Sequence, residues 1–152
     1  MERLPGYIFW PDERDKMIKR FNHVGIAVKD LEKATTFFAE KYSAKLLRRD
    51  RYEDQLFETA LIGIGDARFE LIASLAPGSF IERFIQDRGE GIHHISLEVD
   101  QFGQVSKDLK AKGLKVLGEA DNKDFKAAFI HPQGNLGILT EIIEPKGEGW
   151  GR

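Results

Sequence analysis

The chain has 152 residues, 41% hydrophobic and 32% charged, with 23 Lys+Arg against 25 Asp+Glu, the balance of a globular domain rather than of a disordered or fibrous chain. A net charge of −2 and a pI near 6.1 lack the basic excess of a nucleic-acid or anionic-membrane binder. The absence of cysteine excludes disulfides, thiolate metal sites and cysteine nucleophiles, so any metal has to be held by histidine and carboxylate.

The first twenty residues hold one apolar burst, Tyr7-Ile8-Phe9-Trp10, cut short by Pro11-Asp12-Glu13. That is too short for a membrane span or a signal-peptide core, so the expected compartment is the cytoplasm, with residues 1–20 forming an N-terminal arm. Asn22 to Val28 alternates, with Val24, Ile26 and Val28 on one face, and reads as a half-buried strand. Asp30 is placed to cap a helix on which Leu31, Ala34, Phe37, Phe38 and Tyr42 recur at helical spacing until Ser43. Strands are expected over Ala44–Arg49, Gln55–Ile64 and Arg68–Ala73, completing a βαβββ unit.

Ser79-Phe80-Ile81-Glu82 is a capping box for a short helix that ends near Arg88-Gly89. The opening pattern then returns: an alternating strand over Ile92–Val99, a helix led by Asp100 and marked by Phe102, Val105 and Leu109, and a stop at Gly113. Strands over Leu114–Gly118, Phe125–His131 and Gly137–Ile143, the last preceded by a Gly134-Asn135 turn, complete a second βαβββ unit. The organisation is one α+β domain over 21–145, with module 1 at about 21–75, a linker helix at 79–88, module 2 at about 91–145 and a tail at 146–152.

The two units are in register. A shift of 71 residues lays Val24, Ile26 and Val28 on Ile95, Leu97 and Val99, and it carries His23 onto His94 and Glu70 onto Glu141, since 94 − 23 and 141 − 70 are both 71. A carboxylate flanked by Phe69, Leu71 and Ile72, or one between Leu139 and Ile143, is costly to bury without a compensating positive charge. A divalent cation supplies it. His23, Glu70, His94 and Glu141 make a set of two imidazoles and two carboxylates, suited to Zn, Ni, Co, Mn or Fe(II). Regular alternation puts His93 on the face of Ile95, Leu97 and Val99, so His94 is the ligand and His93 is expected to pack or hydrogen-bond beneath the sheet, behind the site. His131, before Pro132 at a strand end, reads as structural or pocket-lining.

His23-Val24-Gly25-Ile26-Ala27-Val28, Gly89-Glu90-Gly91-Ile92-His93-His94-Ile95, Phe129-Ile130-His131-Pro132 and Ile138-Leu139-Thr140-Glu141 resemble the vicinal oxygen chelate superfamily (glyoxalase, bleomycin resistance and dioxygenase proteins), and within it the methylmalonyl-CoA epimerases. The resemblance spans residues 21 to 145. It implies tandem βαβββ modules forming a curved, cup-shaped mixed sheet around a metal site, with one divalent ion on His23, Glu70, His94 and Glu141. It also implies abstraction of the α-proton of a 2-substituted acyl-CoA thioester, with the ion stabilising the enolate.

Epimerisation needs acid/base groups beside the α-carbon. The position of the base proposed in some of these epimerases falls on Thr59, so the candidates are the adjacent Glu58, the ligand Glu141 doubling as base, and Glu98, which shares the face of His94 and Ser96. Asn122-Lys123-Asp124-Phe125-Lys126 stands where the family often has glycines beside the acyl-CoA, and Lys123 and Lys126 either meet phosphates or are solvated. Glyoxalase I (lactoylglutathione lyase) shares the ligand set, although its usual Asp-Pro-Asp-Gly is here His131-Pro132-Gln133-Gly134. A non-catalytic, resistance-type binding protein is a third reading, but such binders commonly lack a full ligand set. A homodimer is expected, with Tyr7 to Trp10 offering apolar contact area.

Overall fold

Alternating apolar faces cannot be covered by one small module, and the two units share one sheet. In the computed structural model, which describes residues 17–147, the elements are β1 (Ile18–Ala27), α1 (Leu31–Tyr42), β2 (Lys45–Tyr52), a 3-10 turn (Glu53–Gln55), β3 (Phe57–Ile64), β4 (Ala67–Ser74), α2 (Phe80–Arg88), β5 (Gly91–Val99), α3 (Phe102–Ala111), β6 (Val116–Asp121), β7 (Phe125–Ile130) and β8 (Thr140–Pro145). The Tyr7 to Trp10 burst and the end of the tail lie outside the described residues. No helix among the described residues is long and apolar enough to cross a membrane.

The eight strands run in the order β2-β3-β4-β1-β5-β8-β7-β6. The first strand of each module is parallel to its last, and the register repeats at the same interval: Gly25 lies opposite Glu70, and Ser96 opposite Glu141. An antiparallel seam between β1 and β5 joins the modules. The sheet curls until β2 and the β6–β7 turn approach each other, where Arg48 Nη2 lies 3.5 Å from Asp124 Oδ2.

Helices α1 and α3 cover the convex face. Val28, Leu31, Ala60, Ile62, Leu71 and Ala73 form one core cluster, and Val99, Phe102, Val105, Ala128 and Ile142 the equivalent one beneath α3. Each large aliphatic side chain buried there stabilises the fold by about 1.5–3 kcal/mol. The opposite face is left for the site, and α2 closes one side of it by packing Ile81 against Ala27 and Ile72.

Local chemistry sets the boundaries. Asp30 caps α1 by accepting the Lys33 N–H, and Ser79 caps α2 by accepting that of Glu82. Glu82 reaches back to the Gly78 N–H at 2.7 Å, one residue beyond the usual box. Asp100 does not cap α3: the cap residue is Gln101, at φ 54°, and Glu144 Oε2 on β8 accepts the Phe102 N–H at 2.8 Å instead. Ile18 to Arg20, expected in the arm, pair with Val99 and Glu98 and extend β1. β8 begins at Thr140 because Pro132 to Ile138 is taken up by backbone turns.

Candidate metal centre

His23 comes from β1, Glu70 from β4, His94 from β5 and Glu141 from β8, the four central strands, so the side chains converge on the concave face beside the seam. His23 Nε2 lies 3.2 Å from His94 Nε2, 3.9 Å from Glu70 Oε1 and 3.7 Å from Glu141 Oε1. One ligand atom each from His23, Glu70 and His94 fits within 4.8 Å of the others. The fourth expected ligand, Glu141, accepts a 2.6 Å hydrogen bond from the Ser96 hydroxyl.

These groups are withdrawn from water and resist their usual charges. Burial, reinforced by the Glu141 and Asp50 carboxylates, pushes Glu70 up to about 8. Burial pushes Glu141 up to about 7 against the opposing Ser96 bond. The imidazoles move the other way: burial, with Arg68 assisting, lowers His23 to about 4, and burial, with His23 and His93 assisting, holds His94 well below its ordinary value. Two neutral imidazoles beside two carboxyls that burial holds uncharged, with the Arg48 guanidinium only partly offsetting it at Glu70, are a donor set that a divalent cation completes. Donors about 2.1 Å from one ion stand roughly 3 to 4 Å apart, the range of the separations above. The residues therefore fit a divalent metal of the N/O-ligand class.

His93 departs from regular alternation. Gly25 pairs with His94 and Ile26 with Ile92, so His93 is the extra residue of a β-bulge and turns to the cup side instead of beneath the sheet. Its Nδ1 lies 3.0 Å from His94 Nδ1, and its ring packs between Phe80 and Phe84.

A cavity of about 430 Å³ opens over the cluster, lined by Tyr52, Thr59, Glu70, His94, Phe129 and Glu141 among others. An adjoining cleft shares Phe80, His93, His94 and Leu139 with it. Thr59 thus faces the cavity. Glu58, one residue away on a regular strand, faces the opposite side, where its carboxylate lies 3.5 Å from Arg51. Glu98 lies outside the cavity lining and accepts hydrogen bonds from Arg20 and Asn22. His131 holds its turn by accepting the Gln133 N–H at Nδ1. The Asn122 side chain caps the next turn through the N–H groups of Asp124 and Phe125. Tyr52 and Asp50 went unnoticed in the sequence. Burial, with the Asp50, Glu70 and Glu141 charges, raises the Tyr52 phenol, and the only sequence signal for the pair is their period-two spacing on β2.

A curled sheet of paired βαβββ units carries His23, Glu70, His94 and Glu141 on its concave face, a donor set that could hold a metal ion. Residues 22–129 match the family model of the glyoxalase/bleomycin resistance/dioxygenase superfamily, and the chain belongs to that superfamily, whose members generally bind a divalent metal. It is 33% identical over 129 residues to human mitochondrial methylmalonyl-CoA epimerase, covering 81% of this chain and 72% of that protein. It is also 33% identical over 131 residues to an ethylmalonyl-CoA/methylmalonyl-CoA epimerase of Cereibacter sphaeroides, covering 83% and 98%. Among solved structures it resembles the methylmalonyl-CoA epimerase of Mycobacterium tuberculosis, with a TM-score of 0.81, 27% identity and coverage of 88% and 93%.

Proposed function

We propose that the chain is a divalent-metal-dependent epimerase of methylmalonyl-CoA or a similar 2-substituted acyl-CoA. The observation that carries this reading is a pair of largely buried carboxyls, on β4 and β8, that line one cavity with the His94 imidazole and lie 3.9 and 3.7 Å from His23 Nε2. The epimerase names of the relatives support the substrate class. His23, Glu70, His94 and Glu141 hold the ion, which when bound supplies Lewis-acid stabilisation of negative charge on the thioester oxygen. Ser96 fixes Glu141 through Oε1, which orients the carboxylate that we assign as acceptor of the α-proton. The apolar walls, Ile72, Phe129 and Leu139 among them, exclude water from that proton. The adjoining cleft leaves room for the thioester arm.

The test is wash-in of solvent deuterium at the α-carbon of methylmalonyl-CoA by metal-loaded protein. Exchange with interconversion of the epimers is expected. Absence of exchange, with formation of lactoylglutathione from its hemithioacetal, would replace this reading with the lyase. Exposed Phe21 on β1 and exposed Leu46 and Leu47 on edge strand β2 support assembly as a homodimer, which sedimentation at micromolar concentration checks.

A further inference from the structure

The residue before each ligand histidine is itself a repeat position, since 93 − 22 is again 71. Both residues sit in β-bulges. Phe21 pairs with Leu97 and His23 with Ser96, which leaves Asn22 as the extra residue of β1, as His93 is of β5. A bulge breaks the alternation that would send neighbouring side chains to opposite faces. Asn22 Oδ1 consequently lies 2.8 Å from His23 Nδ1, while His93 Nδ1 lies 3.0 Å from His94 Nδ1.

The orientation of Asn22 is settled by what stands behind it. Its Nδ2 donates to Glu98 Oε2 at 3.2 Å, and a carboxylate can only accept. The Arg20 guanidinium donates to the same carboxylate from Nε at 2.8 Å and from Nη2 at 3.2 Å. With Nδ2 turned to Glu98, Oδ1 faces His23 and requires a proton on Nδ1. A neutral imidazole protonated there presents the Nε2 lone pair to the cup. Asn22, His23 and Glu98 are all buried, so a wrong tautomer would leave an unpaired polar group with no water to satisfy it.

We propose that Asn22, held by Glu98 and Arg20, is the positioning residue that fixes the His23 tautomer for metal binding. The proposal rests on the metal centre assigned above. It removes Glu98 from the acid/base candidates and gives it a role three hydrogen-bonded groups from the metal position. Partners of this kind behind a ligand are worth about 10- to 100-fold in metal affinity.

The experiment combines long-range proton–nitrogen NMR of the imidazoles with Zn(II) competition against a chromophoric chelator. In the unaltered protein His23 is expected to carry its proton on Nδ1 both in chelator and with Zn(II). Asn22→Leu, shown folded by circular dichroism, should bind Zn(II) about 10- to 100-fold more weakly and lose the single His23 tautomer. The pair Asn22→Asp with Glu98→Gln keeps an acceptor opposite His23 Nδ1 and a donor opposite position 22, at the cost of the Arg20 Nε bond to the shared Oε2 position, and it should recover the single His23 tautomer and part of the Zn(II) affinity. Unchanged Zn(II) affinity in folded Asn22→Leu, or a proton on Nε2 of His23 in the chelator-treated unaltered protein, would overturn the proposal. Should Asn22→Leu fail to fold, the spectrum of the unaltered protein decides alone. Failure of the unaltered protein to bind Zn(II) would instead count against the metal centre, and the His23 spectrum would still test the link.

Discussion

The imidazole of His94 occupies the space that a side chain at position 25 would need. A Cβ on Gly25 would overlap the His94 ring, with even Nε2 only 2.7 Å away. Glycine is required here for clearance between two strands of the seam, at a residue whose backbone is not among those with positive φ. Gly25→Ala is therefore expected to tilt the ring out of the cluster, to weaken metal binding by at least about tenfold and to cost roughly 1–3 kcal/mol of stability by overpacking. Metal analysis and denaturant titration of the variant check both effects.

In metal-stripped protein, stability should peak near pH 6.5. Glu70 and Glu141, raised to about 8 and about 7 from an ordinary 4.5, bind protons more tightly in the folded chain, so stability falls as pH rises through that range. His23 and His93, both lowered to about 4 from 6.5, and His94, lowered with them, act in the opposite sense and are already neutral in both states above 6.5. The carboxyls alone therefore control the alkaline side, where stability declines between 6.5 and 8. Zn(II) should abolish that decline, because a bound cation favours the ionised carboxylates. Thermal melts across pH, with chelator and with metal, read out the difference.

Glu58→Gln should leave the exchange rate at the α-carbon essentially unchanged, because its carboxylate faces Arg51 on the other side of β3. Glu141→Gln keeps a carbonyl oxygen to ligate the metal and to accept from Ser96 but removes the proton acceptor, and it should slow exchange by about 10²- to 10⁴-fold. Deuterium wash-in at matched metal occupancy separates the two.

Glu70→Ala should lose most metal, whereas Glu70→Gln, which retains a carbonyl oxygen, should bind more weakly yet still bind. Competition titration with Zn(II) tests this order. Equal affinity in all three proteins would remove Glu70 from the ligand set.

Much of this site was legible in the chain because a duplicated fold repeats its register. Gly25 opposite Glu70 and Ser96 opposite Glu141 are the structural form of the 71-residue interval that singled out His23, Glu70, His94 and Glu141. The turn of His93 into the cup was not legible, because a bulge depends on how two strands distant in sequence meet, and alternation along β5 alone puts the side chain on the wrong face. The cap of α3 was missed for a similar reason: the Phe102 N–H is satisfied by Glu144, 42 residues away, and nothing local marks that pairing. Ile18 to Arg20 looked like arm because their partners, Val99 and Glu98, lie on the first strand of the other module, about 80 residues along the chain.

The antiparallel seam between β1 and β5 also dictates when the site comes into being. Neither half of the chain carries more than one histidine and one glutamate of the cluster, so the donors meet only after strands some 71 residues apart have found each other, a late and slow event for a chain closing so long a loop. A cation that recognises only the finished arrangement stabilises the native state without helping the chain climb toward it. Refolding should run at the same speed with Zn(II) as with chelator, and the whole of the metal's stabilisation should appear as slower unfolding, so that the ion acts as a lock on the completed fold rather than as a guide to it.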